Sequence, residues 1–206
     1  MINLGIIEDD DVLLNNYVDF FEMEREFSVS FVLNDISKLS KLRSSCAADI
    51  ILLDLILPSG NSLNNLHKIS QRFPDSRIVI LSGISDPKMS QSALQRGAAG
   101  YLLKSSSMPY IKDSLIKALD GGTPLSPVIV NHLISDNQRQ TLFEAHPSLT
   151  KREIELIYLI KTGMTNKVAA TELQVTAFTI NQHLKNIYKK LKINSRAELR
   201  TIAAKY

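Results

Sequence analysis

The chain has 206 residues, too many for one average domain and about right for two modest ones. Hydrophobic residues make up 44% of it, enough for real cores, and no stretch is apolar for long enough to cross a bilayer as a helix. The formal net charge of +3 hides an asymmetry. Residues 1–120 carry 12 Lys/Arg against 15 Asp/Glu, whereas residues 121–206 carry 12 against 6. Only the second half is therefore a candidate to touch a polyanion.

Met1 leads directly into a strand-like run, without the basic start or small-residue cleavage site of a signal peptide. Cys46 is the single cysteine and has no pairing partner, so it reads as a small buried residue at a helix end. A cytoplasmic, reducing setting and no membrane partner are expected.

Apolar runs and amphipathic stretches alternate through the first 120 residues. Strands are predicted at 4–7, 28–33, 50–53, 77–81 and 100–103. Helices are predicted at 12–23, 36–45, 62–73, 87–96 and 109–119. Five such β-α units imply an α/β fold, a five-stranded doubly wound parallel sheet with helices on both faces.

The third strand is distinctive. Asp49-Ile50-Ile51-Leu52-Leu53-Asp54 is almost wholly apolar and ends in a carboxylate, the pattern of a strand buried on both faces. Ligands of parallel sheets bind at the strands' carboxyl ends. Asp54 is thus either a reactive centre or a helix-capping residue that follows a core strand. The other exits carry Glu8-Asp9 (with Asp10 and Asp11 behind them), Ser82-Gly83 and Lys104. Each has a bland reading: a helix start rich in Asp, an N-cap, a surface lysine. Together, at four exits of one sheet edge, they describe a cleft holding carboxylates, a hydroxyl and an ammonium. Like charges so close repel unless a cation sits among them, and an all-oxygen shell favours Mg²⁺ or Mn²⁺.

Over residues 1–120 the chain resembles the receiver domain of bacterial response regulators, which is flavodoxin-like. The resemblance rests on Ile7-Glu8-Asp9, on Leu53-Asp54-Leu55-Ile56-Leu57-Pro58, on Leu81-Ser82-Gly83 and on Gly97-Ala98-Ala99-Gly100-Tyr101-Leu102-Leu103-Lys104. It implies that Asp54 accepts a phosphoryl group from a sensor histidine kinase. Glu8, Asp9, Asp54 and the backbone carbonyl of Ile56 would then hold Mg²⁺. Lys104 would pair with a phosphoryl oxygen, Ser82 would swing in to bond another, and Tyr101 would turn inward behind it. Two residues depart from the pattern. Ile56 is apolar where many relatives place a polar side chain that influences hydrolysis, so slow loss of the phosphoryl group is expected. Ser105 replaces the frequent proline after Lys104, and a cis bond without proline costs about 2.5–4 kcal/mol.

Gly121-Gly122-Thr123-Pro124-Leu125-Ser126-Pro127 breaks both helix and strand patterns. Residues 121–147 read as a linker, with a short helix at 128–134 and a polar tether beyond it. Thr150-Lys151-Arg152-Glu153 matches a capping box opening a helix that Gly163 stops. Thr165 caps a second short helix. Gln174-Val175-Thr176 turns into a third over 177–191, and Ser195 starts a fourth. Four short helices with a tight turn between the second and third suit a helix-turn-helix. On the third, Ile180, Leu184, Ile187 and Leu191 recur at spacings of three and four, leaving Asn181, Gln182, Lys185, Lys189 and Lys190 on the polar side. Residues 176–206 carry seven Lys/Arg against the single acid Glu198.

Over residues 148–206 the chain resembles the LuxR-type helix-turn-helix, through Leu149-Thr150-Lys151-Arg152-Glu153, Gly163-Met164-Thr165-Asn166-Lys167-Val168-Ala169, Leu173, Val175-Thr176, Thr179-Ile180, His183, Asn186-Ile187 and Lys190-Leu191. With the receiver, this is the layout of the NarL/FixJ subfamily. It implies a phosphorylation-controlled DNA-binding transcription regulator, not an enzyme, that dimerises on paired half-sites. The rival is a pseudo-receiver used only for interaction, with phosphate-independent DNA binding. The family's base-facing positions fall on Asn181, Gln182 and Lys185. Lys189, Lys190, Thr179 and Asn166 are candidates for phosphates, and Lys167 a weaker one. Asn and Gln bond bidentately to adenine, and Lys favours guanine. Selection from randomised duplexes should therefore return A·T pairs opposite Asn181 and Gln182; equal acceptance of G·C there contradicts this assignment.

Overall fold

A computed structural model describes all of residues 1–206. The chain forms two compact units, Met1–His132 and Leu133–Tyr206. In the first, strands β1 (Ile2–Ile7), β2 (Phe27–Leu33), β3 (Ile50–Asp54), β6 (Arg77–Ser82) and β7 (Gly100–Leu103) make one sheet in the order β2-β1-β3-β6-β7. Every pairing is parallel. Strands β4 (Ile56–Leu57) and β5 (Gly60–Asn61) form a separate antiparallel hairpin just past β3. The helices are α1 (Asp11–Met23), α2 (Leu66–Arg72), α3 (Pro87–Gln95) and α4 (Met108–Leu119). The predicted doubly wound sheet is thus what the chain builds. One face, carrying Leu4, Ile6, Ile50, Leu52, Val79, Leu81 and Leu102, meets Leu14, Tyr17 and Phe21 of α1 and Ile111, Leu115 and Ala118 of α4. β3 is buried along its whole length, as its unbroken apolar run requires.

Two predicted helices differ. The stretch 36–45 is a six-residue 3₁₀ helix, Ile36–Lys41, capped by Asp35. Four serines lie between 37 and 45, and serine is a weaker helix former than alanine or leucine because its hydroxyl competes for backbone groups. The stretch 62–73 divides into a 3₁₀ turn, Ser62–Asn65, and α2, because the Ser62 hydroxyl is spent on the Asp54 carbonyl at 2.6 Å. Cys46, expected at a helix end, is half-buried in the coil after the first 3₁₀ helix.

The larger correction concerns residues 121–147. Pro124 to Ser126 do not leave the sheet; they continue it. The Tyr101 N–H donates to the Pro124 carbonyl at 3.0 Å and the Ser126 N–H to the Tyr101 carbonyl at 3.1 Å. Gly100 permits this approach, since a Cβ there would stand 2.8 Å from the Pro124 carbonyl oxygen. Pro127 then opens α5 (Pro127–Ala145), so the expected short helix at 128–134 runs on through most of the expected tether. Its apolar residues follow no single stripe, which is why periodicity stopped short of its length.

The second unit contains α6 (Lys151–Lys161), α7 (Asn166–Glu172), α8 (Ala177–Leu191) and α9 (Arg196–Ala203). Its core joins Leu156, Ile157 and Ile160 of α6 to Ala169 of α7, Ile180 and Ile187 of α8 and Leu199 of α9. Leu142, near the end of α5, packs into the same core. No helix in either unit is long and apolar enough to cross a membrane.

Gly5 in β1 lies beneath the Phe31 ring of β2: a Cβ at Gly5 would sit 2.3 Å from Phe31 Cζ. Phe31 cannot simply swing away, because it stacks on Phe73 with ring centroids 5.1 Å apart. Gly5→Ala should cost about 1–3 kcal/mol of stability, measured by urea unfolding, and adding Phe31→Leu should return part of it. An unchanged midpoint for Gly5→Ala would show that the ring is not confined.

Candidate functional site

The carboxyl ends of β1, β3, β6 and β7 bring together Glu8-Asp9, Asp54, Ser82 and Lys104, residues separated by up to 96 positions. Glu8 and Asp54 are buried, whereas Asp9 stands at the exposed mouth. Backbone bonds fix the approach. The Lys104 N–H donates to the Ser82 carbonyl at 2.8 Å, and the Leu55 N–H to the Leu81 carbonyl at 3.1 Å. The Ile56 N–H reaches Asp54 Oδ1 at 3.4 Å. Asp10 turns away to cap α1 through the N–H groups of Val12 and Leu13, so the helix start absorbs one acid of the run.

Lys104 organises the cluster. Its Nζ lies 2.8 Å from Glu8 Oε1, 2.7 Å from Glu8 Oε2 and 3.1 Å from Asp54 Oδ2. Burial pushes the Glu8 and Asp54 carboxyls above their ordinary values, although bonds from Lys104 resist it. Burial also works against the charge on Lys104, but hydrogen bonds and attraction from Glu8 and Asp54 outweigh it and hold the ammonium above its usual range. Tyr17, packed behind the cluster, is raised by burial and by the charges of Glu8, Asp54 and Asp10.

The donor set suits a hard divalent cation. Carboxylate oxygens of Glu8, Asp9 and Asp54 all lie within 4.8 Å of one another. Buried Glu8 Oε2 touches Lys104 but makes no aligned hydrogen bond, which leaves a lone pair unspent. Three carboxylates against one ammonium leave an excess of two negative charges, which a divalent ion balances. Ile56, the expected carbonyl donor, opens the hairpin beside Asp54, with its side chain half exposed.

Ser82 and Tyr101 meet at the loop after β6. The Ser82 hydroxyl accepts the Ile84 N–H at 2.9 Å. Tyr101, expected to turn inward in response to a phosphoryl group, is already fully buried, its hydroxyl donating to the Ile84 carbonyl at 2.8 Å. Both bonds converge on one residue of the loop after β6. The pairing of Tyr101 with Pro124 and Ser126 holds its backbone at the sheet edge.

The second cluster is the outer face of α8. Thr176 caps the helix through the Thr179 N–H at 3.1 Å, and Lys192 ends it in the left-handed region at φ 55°. Asn181, Gln182, Lys185 and Lys189 are exposed together, while Ile180, Leu184 and Ile187 are buried beneath them. Asn166 donates to Asn181 Oδ1 at 3.0 Å and accepts from Arg196, which also holds the Met164 carbonyl. Thr179 shares a hydrogen bond with Thr176, and Lys167 is exposed. Lys190 corrects its assignment to phosphates: its Nζ lies 2.6 Å from buried Glu153 Oε2, pairing α8 with α6. Glu153 also completes the capping box, accepting the Thr150 N–H at 2.7 Å. Local spacing revealed the box; nothing in it pointed to a lysine 37 positions away.

Comparison with known proteins agrees with this geometry. The family model for the response regulator receiver domain matches residues 4–116. That for bacterial regulatory proteins of the luxR family matches residues 147–203. The chain is a two-component response regulator. It is of the NarL/FixJ type, with a receiver followed by a LuxR-type DNA-binding domain. Among curated relatives, the nitrate/nitrite response regulator protein NarL of Escherichia coli (strain K12) is 32% identical, over 94% of this chain and 90% of its own length. The transcriptional regulatory protein LiaR of Bacillus subtilis is 30% identical, over 96% of this chain and 94% of its own. Among solved structures, the RcsB response regulator of Salmonella typhimurium aligns with a TM-score of 0.62 at 19% identity, covering 100% of this chain and 98% of that one. An RcsB–DNA complex aligns with a TM-score of 0.57 at 20% identity, covering 98% of each chain.

Burial pushes the Glu153 carboxyl up, but the Lys190 ammonium and the bonds from Thr150 hold it below its ordinary value of 4.5. A carboxylate lowered in the folded state stabilises above its unfolded pKa, and that contribution fades as pH falls through the folded one. Glu153→Gln should therefore lower the stability of the second unit by roughly 1.5–3 kcal/mol at neutral pH, the worth of hydrogen bonds to a charged group. The gap from the parent should close below pH 4.5. Hydrogen exchange in α6 and α8 reads it, and a gap independent of pH counts against the ion pair as its source.

Proposed function

We propose that Asp54 accepts a phosphoryl group from a sensor histidine kinase and that this event controls how the regulator engages DNA. The observation that carries the reading is the Lys104 ammonium set between Glu8 and Asp54 at the exits of three strands remote in sequence. An Asp54 carboxylate oxygen attacks phosphorus; the new O–P bond forms as the P–N bond of the phosphohistidine breaks. The imidazole leaves with the electron pair and takes up a proton, and the product is an acyl phosphate. Such a transfer depends on positioning and charge neutralisation. Lys104, already paired with Asp54 Oδ2, is placed to follow the charge onto a phosphoryl oxygen. Ser82 reaches a second oxygen by giving up the Ile84 N–H, which loosens the loop that Tyr101 also holds.

Glu8, Asp9, Asp54 and the backbone carbonyl of Ile56 would hold Mg²⁺, or Mn²⁺ in its place. When bound, that ion supplies further neutralisation of the transferring phosphoryl group. The apolar Ile56 side chain cannot orient an attacking water, so the acyl phosphate persists and the chain acts as a phosphoryl acceptor without turnover.

The LuxR-type domain reads DNA through the outer face of α8. Asn181, Gln182 and Lys185 face base edges. Lys189, Thr179 and Asn166, with Lys167 as a lesser contributor, face phosphates. A structural neighbour, RcsB, has been solved with DNA, which supports DNA binding by a chain of this fold. Two copies would bind half-sites about one helical turn apart, in the cytoplasm.

Acetyl phosphate with Mg²⁺ should add one phosphoryl group to the full-length chain and none to Asp54→Asn, by intact mass. Lys104→Ala should be labelled more slowly. The labelled chain should keep its phosphoryl group far longer than seconds and bind a selected duplex at least tenfold more tightly. Labelling of Asp54→Asn, or DNA binding indifferent to phosphorylation, would return the receiver to a phosphate-independent interaction module.

A further inference from the structure

The recognition helix carries one residue that the polar reading leaves over. Phe178 is the second residue of α8 and is 71% exposed. It begins the series Phe178, Asn181, Gln182, Lys185, Lys189, spaced at i, i+3, i+4, i+7 and i+11, which places all five on one side of a helix. All five are exposed, and the buried Ile180, Leu184 and Ile187 occupy the opposite side. Phe178 is therefore neither part of the core of its unit nor on a neutral flank. It is the first member of the reading face.

Its surroundings define the occupant. Residues 176–206 hold seven Lys/Arg against one acid, so the face suits a polyanion. A recognition helix enters the major groove with its N-terminal residues at the base edges, and Phe178 lies in that first turn. A benzyl ring offers no hydrogen bond, so it cannot read the donors and acceptors that Asn181, Gln182 and Lys185 can. The apolar group that the major groove displays is the thymine 5-methyl.

Resting on the assignment of this face to DNA, we propose that Phe178 is a specificity residue that packs on a thymine methyl group in each half-site. It would add an apolar contact at a base pair beside those read by Asn181 and Gln182. The Thr176 cap, which fixes the start of the helix, sets the position of the ring.

The test uses the full-length chain treated with acetyl phosphate and Mg²⁺. A duplex is selected from a randomised library, and each thymine is then replaced singly by deoxyuridine, which removes the methyl and keeps every hydrogen-bonding group. One thymine per half-site should weaken wild-type binding about fourfold when demethylated, the worth of one small apolar group removed from water. Phe178→Ala should bind the parent duplex roughly tenfold more weakly and be indifferent to that demethylation, and Phe178→Leu should fall between. Circular dichroism should show unchanged helix content, as expected for an exposed site. If wild type selects a sequence but its deoxyuridine profile is flat, or Phe178→Ala keeps the wild-type profile, the assignment of Phe178 is overturned and DNA reading by α8 stands. If wild type selects no sequence at all, both fall.

Discussion

An ammonium among carboxylates is the arrangement on which the receiver depends. Glu8 and Asp54 are buried at the ends of neighbouring parallel strands, where two uncompensated charges would be strongly unfavourable. Lys104 makes them tolerable by contacting both. The balance is incomplete by design of the geometry, since Asp9 adds a third carboxylate and Glu8 Oε2 lacks an aligned donor. A parallel sheet creates this situation naturally: its strands all end on one edge, so short motifs far apart in the chain share a single electrostatic environment. The residual negative charge that makes the cleft costly also makes it receptive to a cation and to the chemistry that a cation supports.

The DNA-binding unit meets a related problem in a different way. Glu153 is almost fully buried, yet it accepts from the Thr150 backbone and from Lys190, so its charge is answered twice. One residue thereby caps α6 and fastens it to α8. The lysine spent on that bond leaves the outer face to Asn181, Gln182, Lys185 and Lys189, with Phe178 at its head. The division of α8 between inner and outer residues is what lets one helix both complete a core and present an exposed polar face.

Much of this was legible from residue order because the signals were local. The apolar run ending in Asp54, the acids after β1 and the Thr150–Glu153 box are each written within six residues or fewer, and each stands where expected. The five strands followed from period and length. What escaped were features settled by distant partners. The serine-rich segment after β2 was expected to be helical, but Asp35 caps a 3₁₀ turn there while also accepting the Ser59 N–H from 24 positions away. The full length of α5 was hidden because Leu142 finds its core only in the folded second unit. Lys190 looked like any basic residue of a recognition helix until Glu153 appeared beside it. Tyr101 was placed correctly on its strand, yet its inward rotamer depends on the Ile84 carbonyl, which no local pattern encodes.

The strip from Pro124 to Ser126 has a structural corollary. By laying its backbone along β7 it seals one flank of the sheet, so that flank offers no free ladder to another chain. β2 remains as the sole unsealed margin. The seal is stitched through both main-chain groups of Tyr101, and the Ser126 hydroxyl adds a third stitch from the Leu103 N–H, one residue before Lys104. The polypeptide thus departs the receiver from a seam anchored beside its charged centre, and any shift of β7 there pulls directly on the segment that begins α5.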